Sequence, residues 1–144
     1  MDKIDYKILN FLKEDADITN AALADKVYLS PSSCLRRVQK LKSQGVIKKT
    51  VAIIDEKVLG RNLQAIVEVD FDRHGTSSSA PFNERVKNEI SVTKAYGITG
   101  ESDALLFLSL VDMQEYEQVC ERLFNNDKNV IRFRTSFVMK RIKD

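Results

Sequence analysis

The chain has 144 residues, room for one ordinary domain or two small ones, and its hydrophobic (43%) and charged (31%) fractions are those of a globular protein. It holds no run of 18 apolar residues, which argues against a membrane-spanning helix, and its charged beginning MDKIDYKILNFLKED has no signal core, so the expected setting is the cytoplasm. The net charge of +2 hides an asymmetry: residues 1–50 carry ten Lys/Arg against six Asp/Glu, and residues 51–144 carry thirteen against fifteen.

In chain order, Ile4, Ile8, Leu9, Phe11 and Leu12 recur near helical spacing and predict a helix over 2–14. Asp2 is its expected N-cap, with Asp5 in the first turn. Thr19 is the expected cap of a second, short helix whose Ala21, Ala22, Leu23, Ala24 and Val27 form a small-residue face. Tyr28-Leu29 is a turn. Ser30 caps a third helix with Pro31 in its first turn, where a missing N–H costs nothing, and Gly45 ends it. Three helices in about 45 residues, the last two joined by a short turn, fit a helix-turn-helix unit.

On the third helix Cys34, Leu35, Val38 and Leu41 are expected on the core side. Ser32, Ser33, Arg36, Arg37, Gln39 and Lys40 cover much of the rest. Within 31–50 there are six basic residues and no acid, a pattern of either a solvated basic face or a nucleic-acid surface. The expected DNA-binding residues are Ser32, Ser33, Arg36 and Arg37 toward a groove, with Lys40, Lys48 and Lys49 on the backbone.

After Gly45, Val46-Ile47 and Thr50–Ile54 are β-branched and predict strand. The expected division is a DNA-binding domain at 1–54, a hinge at 55–61 and a second domain at 62–144. There, strands are expected at Leu63–Phe71, Val92–Thr99, Ala104–Leu110 and Val130–Met139. Helices are expected from Pro81 to about Glu89 and from the Asp112 cap to about Phe124, and His74–Ala80 is expected as a loop. The order β-α-β-β-α-β is ferredoxin-like, so the fold class is α+β.

Catalytic signatures are weak. His74 is the only histidine, and Cys34 and Cys120 are far apart, so no metal site, disulfide or enzyme is expected. The stretch Gly97-Ile-Thr-Gly-Glu-Ser-Asp103 is either a plain hairpin turn or a polar pocket. In the second case Gly97, Thr99, Gly100, Glu101, Ser102 and Asp103 are the ligand-binding set, suited to the carboxylate and ammonium of a free amino acid.

Four segments together resemble the Lrp/AsnC family of leucine-responsive, feast/famine regulators. They are Asp2–Leu9, Leu29–Leu41 with Gly45–Ile47, Thr99–Leu106 with Val111–Met113, and Arg134–Met139. The resemblance implies a winged or extended helix-turn-helix domain joined to a ferredoxin-like effector domain, and a transcription regulator that binds double-stranded DNA. It implies dimers formed through the sheet, which often assemble further into tetramers, octamers or open helices. It also implies an amino-acid effector near Gly97–Asp103, with no other cofactor. Ala104 departs from the family, which often has tyrosine there.

Overall fold

The computed structural model describes residues 1–72 and 79–143. They form two compact units, Met1–Ile53 and Ile54–Asp144.

The first unit holds α1 (Lys3–Glu14), α2 (Asn20–Lys26) and α3 (Pro31–Ser43). Each begins at a side-chain cap. Asp2 Oδ1 accepts from the N–H groups of Ile4 and Asp5, both at 2.9 Å, and the Asp2 N–H donates back to Asp5 Oδ2 at 3.0 Å. That reciprocal box satisfies N–H groups that a helix start otherwise leaves unpaired. Thr19 Oγ1 accepts from the Ala22 N–H, and Ser30 Oγ from the Ser33 N–H. The core is Ile8, Leu23, Ala24, Val27, Cys34 and Leu41. Full burial of each large aliphatic side chain there contributes roughly 1.5–3 kcal/mol.

The turn between α2 and α3 closes by two bonds, from the Leu29 N–H to the Ala24 carbonyl (3.0 Å) and from the Tyr28 N–H to the Asp25 carbonyl (3.2 Å). This closure needs a left-handed residue, and Tyr28 supplies it at φ 58. For a residue with a Cβ that conformation costs roughly 1–2 kcal/mol.

Three expectations for this unit fail. Ala21 and Ala22 are exposed, because only one side of so short a helix reaches the core. Leu35 is 46% exposed, lying off the centre of the Cys34–Val38–Leu41 stripe. Residues 46–54 form no strand. β-branched composition favours a strand only where a partner backbone takes up its hydrogen bonds, and the first unit contains no other strand.

The second unit is β1 (Leu63–Phe71), α4 (Ser79–Asn88), β2 (Val92–Gly97), β3 (Ala104–Leu110), α5 (Met113–Cys120) and β4 (Val130–Phe137), with a π-helical turn at Glu121–Asn125 extending α5. The sheet is antiparallel in the order β2-β3-β1-β4, the ferredoxin-like arrangement expected from the element order. Ser79 and Ala80, expected in a loop, open α4; the rest of that loop, His74 included, lies outside the described residues.

Strand alternation decides the two faces. Ala65, Val67 and Val69 of β1, with Leu106, Leu108 and Leu110 of β3, point toward the helices and are buried. Phe82, Val119, Leu123 and Phe124 cover them. Phe124 stacks on Phe133 at 4.6 Å between centroids, and Phe71 meets Phe82 edge-on at 4.8 Å. The other face carries Ile66, Glu68, Asp70, Leu105, Phe107, Arg132 and Arg134, all partly or fully exposed.

The segment expected as a hinge, 55–61, is a hydrogen-bonded turn, with Gly60 at φ 75 accepting the reversal. It is fastened to the sheet unit. Glu56 accepts from the Ser109 hydroxyl at 2.6 Å, and Arg61 donates to the Ser109 carbonyl (2.9 Å) and to Glu115 (2.7 Å). Burial alone would raise the Glu115 pKa, but donors from Ser91, the Val111 N–H and Arg61 hold it below its ordinary value.

Replacing Phe124 by Ala removes the centre of the aromatic cluster and is expected to cost about 3–5 kcal/mol. Urea unfolding measures it, and a loss below about 1 kcal/mol would mean that the helices, not the ring, hold that face of the sheet.

Candidate functional site

The outward side of α3 carries Ser32, Arg36, Gln39 and Lys40, all exposed. Lys48 and Lys49 are exposed beyond its C-terminus. Two of the expected groove residues are engaged otherwise. Ser33 is half-buried and its hydroxyl takes a hydrogen bond from Ser30 at 2.9 Å, inside the cap. Arg37 bends toward α1 and donates to Asp2 Oδ2 at 2.8 Å and Asp5 Oδ1 at 2.7 Å. It thereby joins α3 to the capping box of α1, a role that helical spacing on α3 alone does not reveal. Gln39, left out of the expected contact set, stands among the outward residues, and the helical period alone would have included it.

The clamp also has an electrostatic effect on the candidate surface. Asp2 and Asp5 line one cleft with Arg36, Arg37 and Lys40. Without Arg37 their charges would stand beside a face suited to phosphate. The Asp2 carboxyl is held below its ordinary range first by the Asp5 backbone N–H and then by Arg37. The Asp5 carboxyl is held low first by the Asp2 N–H and then by Arg37.

In the second unit, Gly97–Asp103 closes the β2–β3 hairpin, with the Ile98 N–H donating to the Asp103 carbonyl at 2.9 Å. Gly100 takes φ 128, a conformation that a side chain would strain. Gly97, Thr99, Gly100 and Glu101 are exposed. Ser102 and Asp103, at the end of the loop, are hydrogen-bonded to the strands. The Ser102 hydroxyl is buried and accepts from Arg134 at 2.9 Å. Asp103 Oδ2 accepts from the Phe71 N–H at 2.8 Å, where the register between β1 and β4 shifts.

The loop borders a cavity of about 540 Å³ lined by Asp70, Phe71, Asp72, Glu101, Asp103, Ile131 and Arg132. Arg132 pairs with Asp70 Oδ2 at 2.7 Å, while Asp70 Oδ1 is buried with no hydrogen-bond partner within normal distance. Sequence spacing did not point to Asp70, Phe71 or Arg132, because they come from β1 and β4 and meet the loop only through sheet pairing. Ala104 is buried opposite Val69 on the helix side, so its side chain belongs to the core. Among the described residues no group of three metal-ligating side chains occurs, and no helix is long and apolar enough to cross a membrane.

Known proteins match both units. Residues 1–48 match a winged helix-turn-helix DNA-binding family, and residues 64–144 match the Lrp/AsnC ligand-binding domain. The leucine-responsive regulatory protein of Rhizobium meliloti is 33% identical over 144 residues, all of this chain and 92% of that protein. The DNA-binding transcriptional activator DecR of Escherichia coli is 30% identical, over 99% of this chain and 94% of its own. A transcriptional regulator of Neisseria meningitidis, solved as a complex with L-Met, superposes with TM-score 0.93 at 32% identity, over all of this chain and 93% of that one. These matches define a DNA-binding transcriptional regulator with a ligand-binding domain. The chain belongs to the Lrp/AsnC family.

Because the folded Asp2 and Asp5 carboxyls titrate below the unfolded value of about 3.9, the clamp contributes fully above that value and is lost as the pH falls through the lower folded values. Arg37→Ala is therefore expected to lower the melting temperature at pH 7, and the gap to the parent protein to narrow as the pH falls below about 4 and to close once both folded carboxyls are protonated. Thermal melts at neutral and acid pH test this, and a gap that persists in acid would remove the carboxylates as its source.

Proposed function

We propose that the protein is a sequence-specific regulator whose DNA affinity or state of assembly responds to an amino acid. The observation that carries the DNA half is the outward side of α3, where Ser32, Arg36, Gln39 and Lys40 stand exposed while Arg37 pairs the acids beside them. Arg36 is the residue for a bidentate contact to a guanine edge. Ser32 and Gln39 suit base or phosphate contacts, and Lys40, Lys48 and Lys49 suit phosphates. Ser33 and Arg37 support the face rather than touch DNA.

The ligand half places an amino acid beside the β2–β3 loop. Arg132 suits a carboxylate, the unpaired oxygen of Asp70 and the Glu101 side chain suit an ammonium, and Phe71 and Ile131 flank the space for a side chain. Gly97, Thr99 and Gly100 offer backbone donors, and Ser102 and Asp103 hold the loop to the strands. The family's ligand domain and the L-Met bound by the Neisseria relative support this choice. No catalytic step and no other cofactor belong to this reading, and its setting is the cytoplasm.

The domains divide at 1–54 and 62–144, with 55–61 as the connection. Because that connection is bound to the sheet unit through Glu56 and Arg61, freedom of movement falls in the residues just before it. Ile66, Leu105, Phe107 and Tyr96, on the open side of the sheet, form the surface for self-association into dimers, and dimers join into tetramers or octamers. A dimer presents two copies of α3 to successive major grooves about 34–36 Å apart. A ligand acts by binding two such arrangements unequally.

The test is DNA binding to the region upstream of the protein's own gene, with each common amino acid in turn. Contact with six to ten phosphates requires affinity to fall by roughly 10³–10⁵ between 50 and 200 mM salt. Arg36→Ala is expected to weaken binding to the specific site by about 1–3 kcal/mol and to relax preference for it over random DNA. A flat salt response would overturn the DNA half, and indifference to every amino acid would overturn the ligand half.

A further inference from the structure

Tyr28 is the only residue other than glycine with positive φ among the described residues. Glycine is the default at such a position, so the backbone gives no reason for a tyrosine there. Packing gives none either. The side chain is 89% exposed, and it makes no hydrogen bond or ring contact within the described structure. A bulky amphipathic ring thus stands in solvent at the one turn position that disfavours it. An observed outlier of this kind points toward a partner outside the fold.

Its surroundings select the partner. Tyr28 lies in the turn that leads into α3, two residues before the Ser30 cap and four before exposed Ser32. It therefore stands exposed at the N-terminal end of that helix. No cation stands between 27 and 35, and Lys26 just before them lies over the Phe11 ring of α1, so this stretch itself carries no charge like those Arg36 and Lys40 supply further along. A phenol there offers a neutral donor for a phosphate oxygen and an apolar ring for the adjacent sugar.

We infer that Tyr28 is a DNA-backbone contact, its hydroxyl donating to a phosphate at the edge of the groove that α3 enters. The inference rests on the DNA-binding reading above. Tyr28 positions the helix and carries no sequence preference of its own. The left-handed turn aims the ring outward, and the local strain is the consequence of holding it there.

Tyr28→Gly separates this role from a structural one, because glycine suits the turn. Its melting temperature is expected to equal or exceed that of the parent protein. Its DNA affinity is expected to fall about tenfold, alike on the upstream fragment and on a random duplex of equal length, with the salt slope unchanged because no cation is lost. Tyr28→Phe should reproduce most of the loss through the missing hydroxyl. Undiminished affinity of Tyr28→Gly would overturn the inference. So would a loss confined to the upstream fragment, which means a base contact, or a change of oligomeric state in gel filtration, which means a contact between copies. A parent protein that binds neither duplex would instead overturn the DNA-binding reading itself.

Discussion

The surface of the first unit depends on one constraint, the rotation of α3 about its own axis. Cys34 and Leu41 are buried on one side, and Arg37 is drawn onto the Asp2–Asp5 box of α1. Together they leave Ser32, Arg36, Gln39 and Lys40 facing outward. A burial stripe alone tolerates some rolling, since apolar contacts are non-directional. A guanidinium held by two carboxylates in different positions is directional, and it adds a fixed angle to the stripe. The same contact keeps two negative charges from standing unpaired beside a surface suited to phosphate.

The second unit combines fold and site in a comparable way. Asp103 takes the Phe71 N–H at a register shift, Ser102 takes Arg134, and Asp70 takes Arg132, so the polar residues around the β2–β3 loop are already part of the sheet's own bonding. Any change at Arg132 or Asp70 therefore disturbs strand-to-strand contacts directly. Arg132 and Arg134 stand on the open side of the sheet with Leu105 and Phe107, so the loop and that face share the same polar groups.

Sequence signals are legible where the physics is local. Asp2, Thr19, Ser30 and Asp112 each cap the helix that follows, because a cap is satisfied within three residues. β1 and β3 alternate or run apolar as their two-sided or deep burial requires, and their bounds coincide with the expected ones. Sequence signals mislead where a partner from elsewhere decides. Val46-Ile47 and Thr50–Ile54 look like strand and form none. Leu35 fits an apolar stripe and lies at its edge. Arg61, Glu115, Ser91 and Glu56 form a polar network across more than fifty residues of sequence, and none of them carried a signal beforehand.

The sequence by itself determined the four capped helix starts at Asp2, Thr19, Ser30 and Asp112, the β-α-β-β-α-β order and the acid-free basic stretch of α3, because capping, periodicity and charge are properties of neighbours along the chain. It also carried the family resemblance, since that is a pattern of residues in order. Tertiary structure alone decided that Arg37 turns inward while Arg36 faces out, and that Asp70 and Arg132 join the loop at Gly97–Asp103. It also decided that Tyr28 occupies a left-handed turn with nothing packed on it. Each of those outcomes depends on which distant backbone or side chain comes within hydrogen-bond reach, and that distance is set by folding rather than by sequence separation.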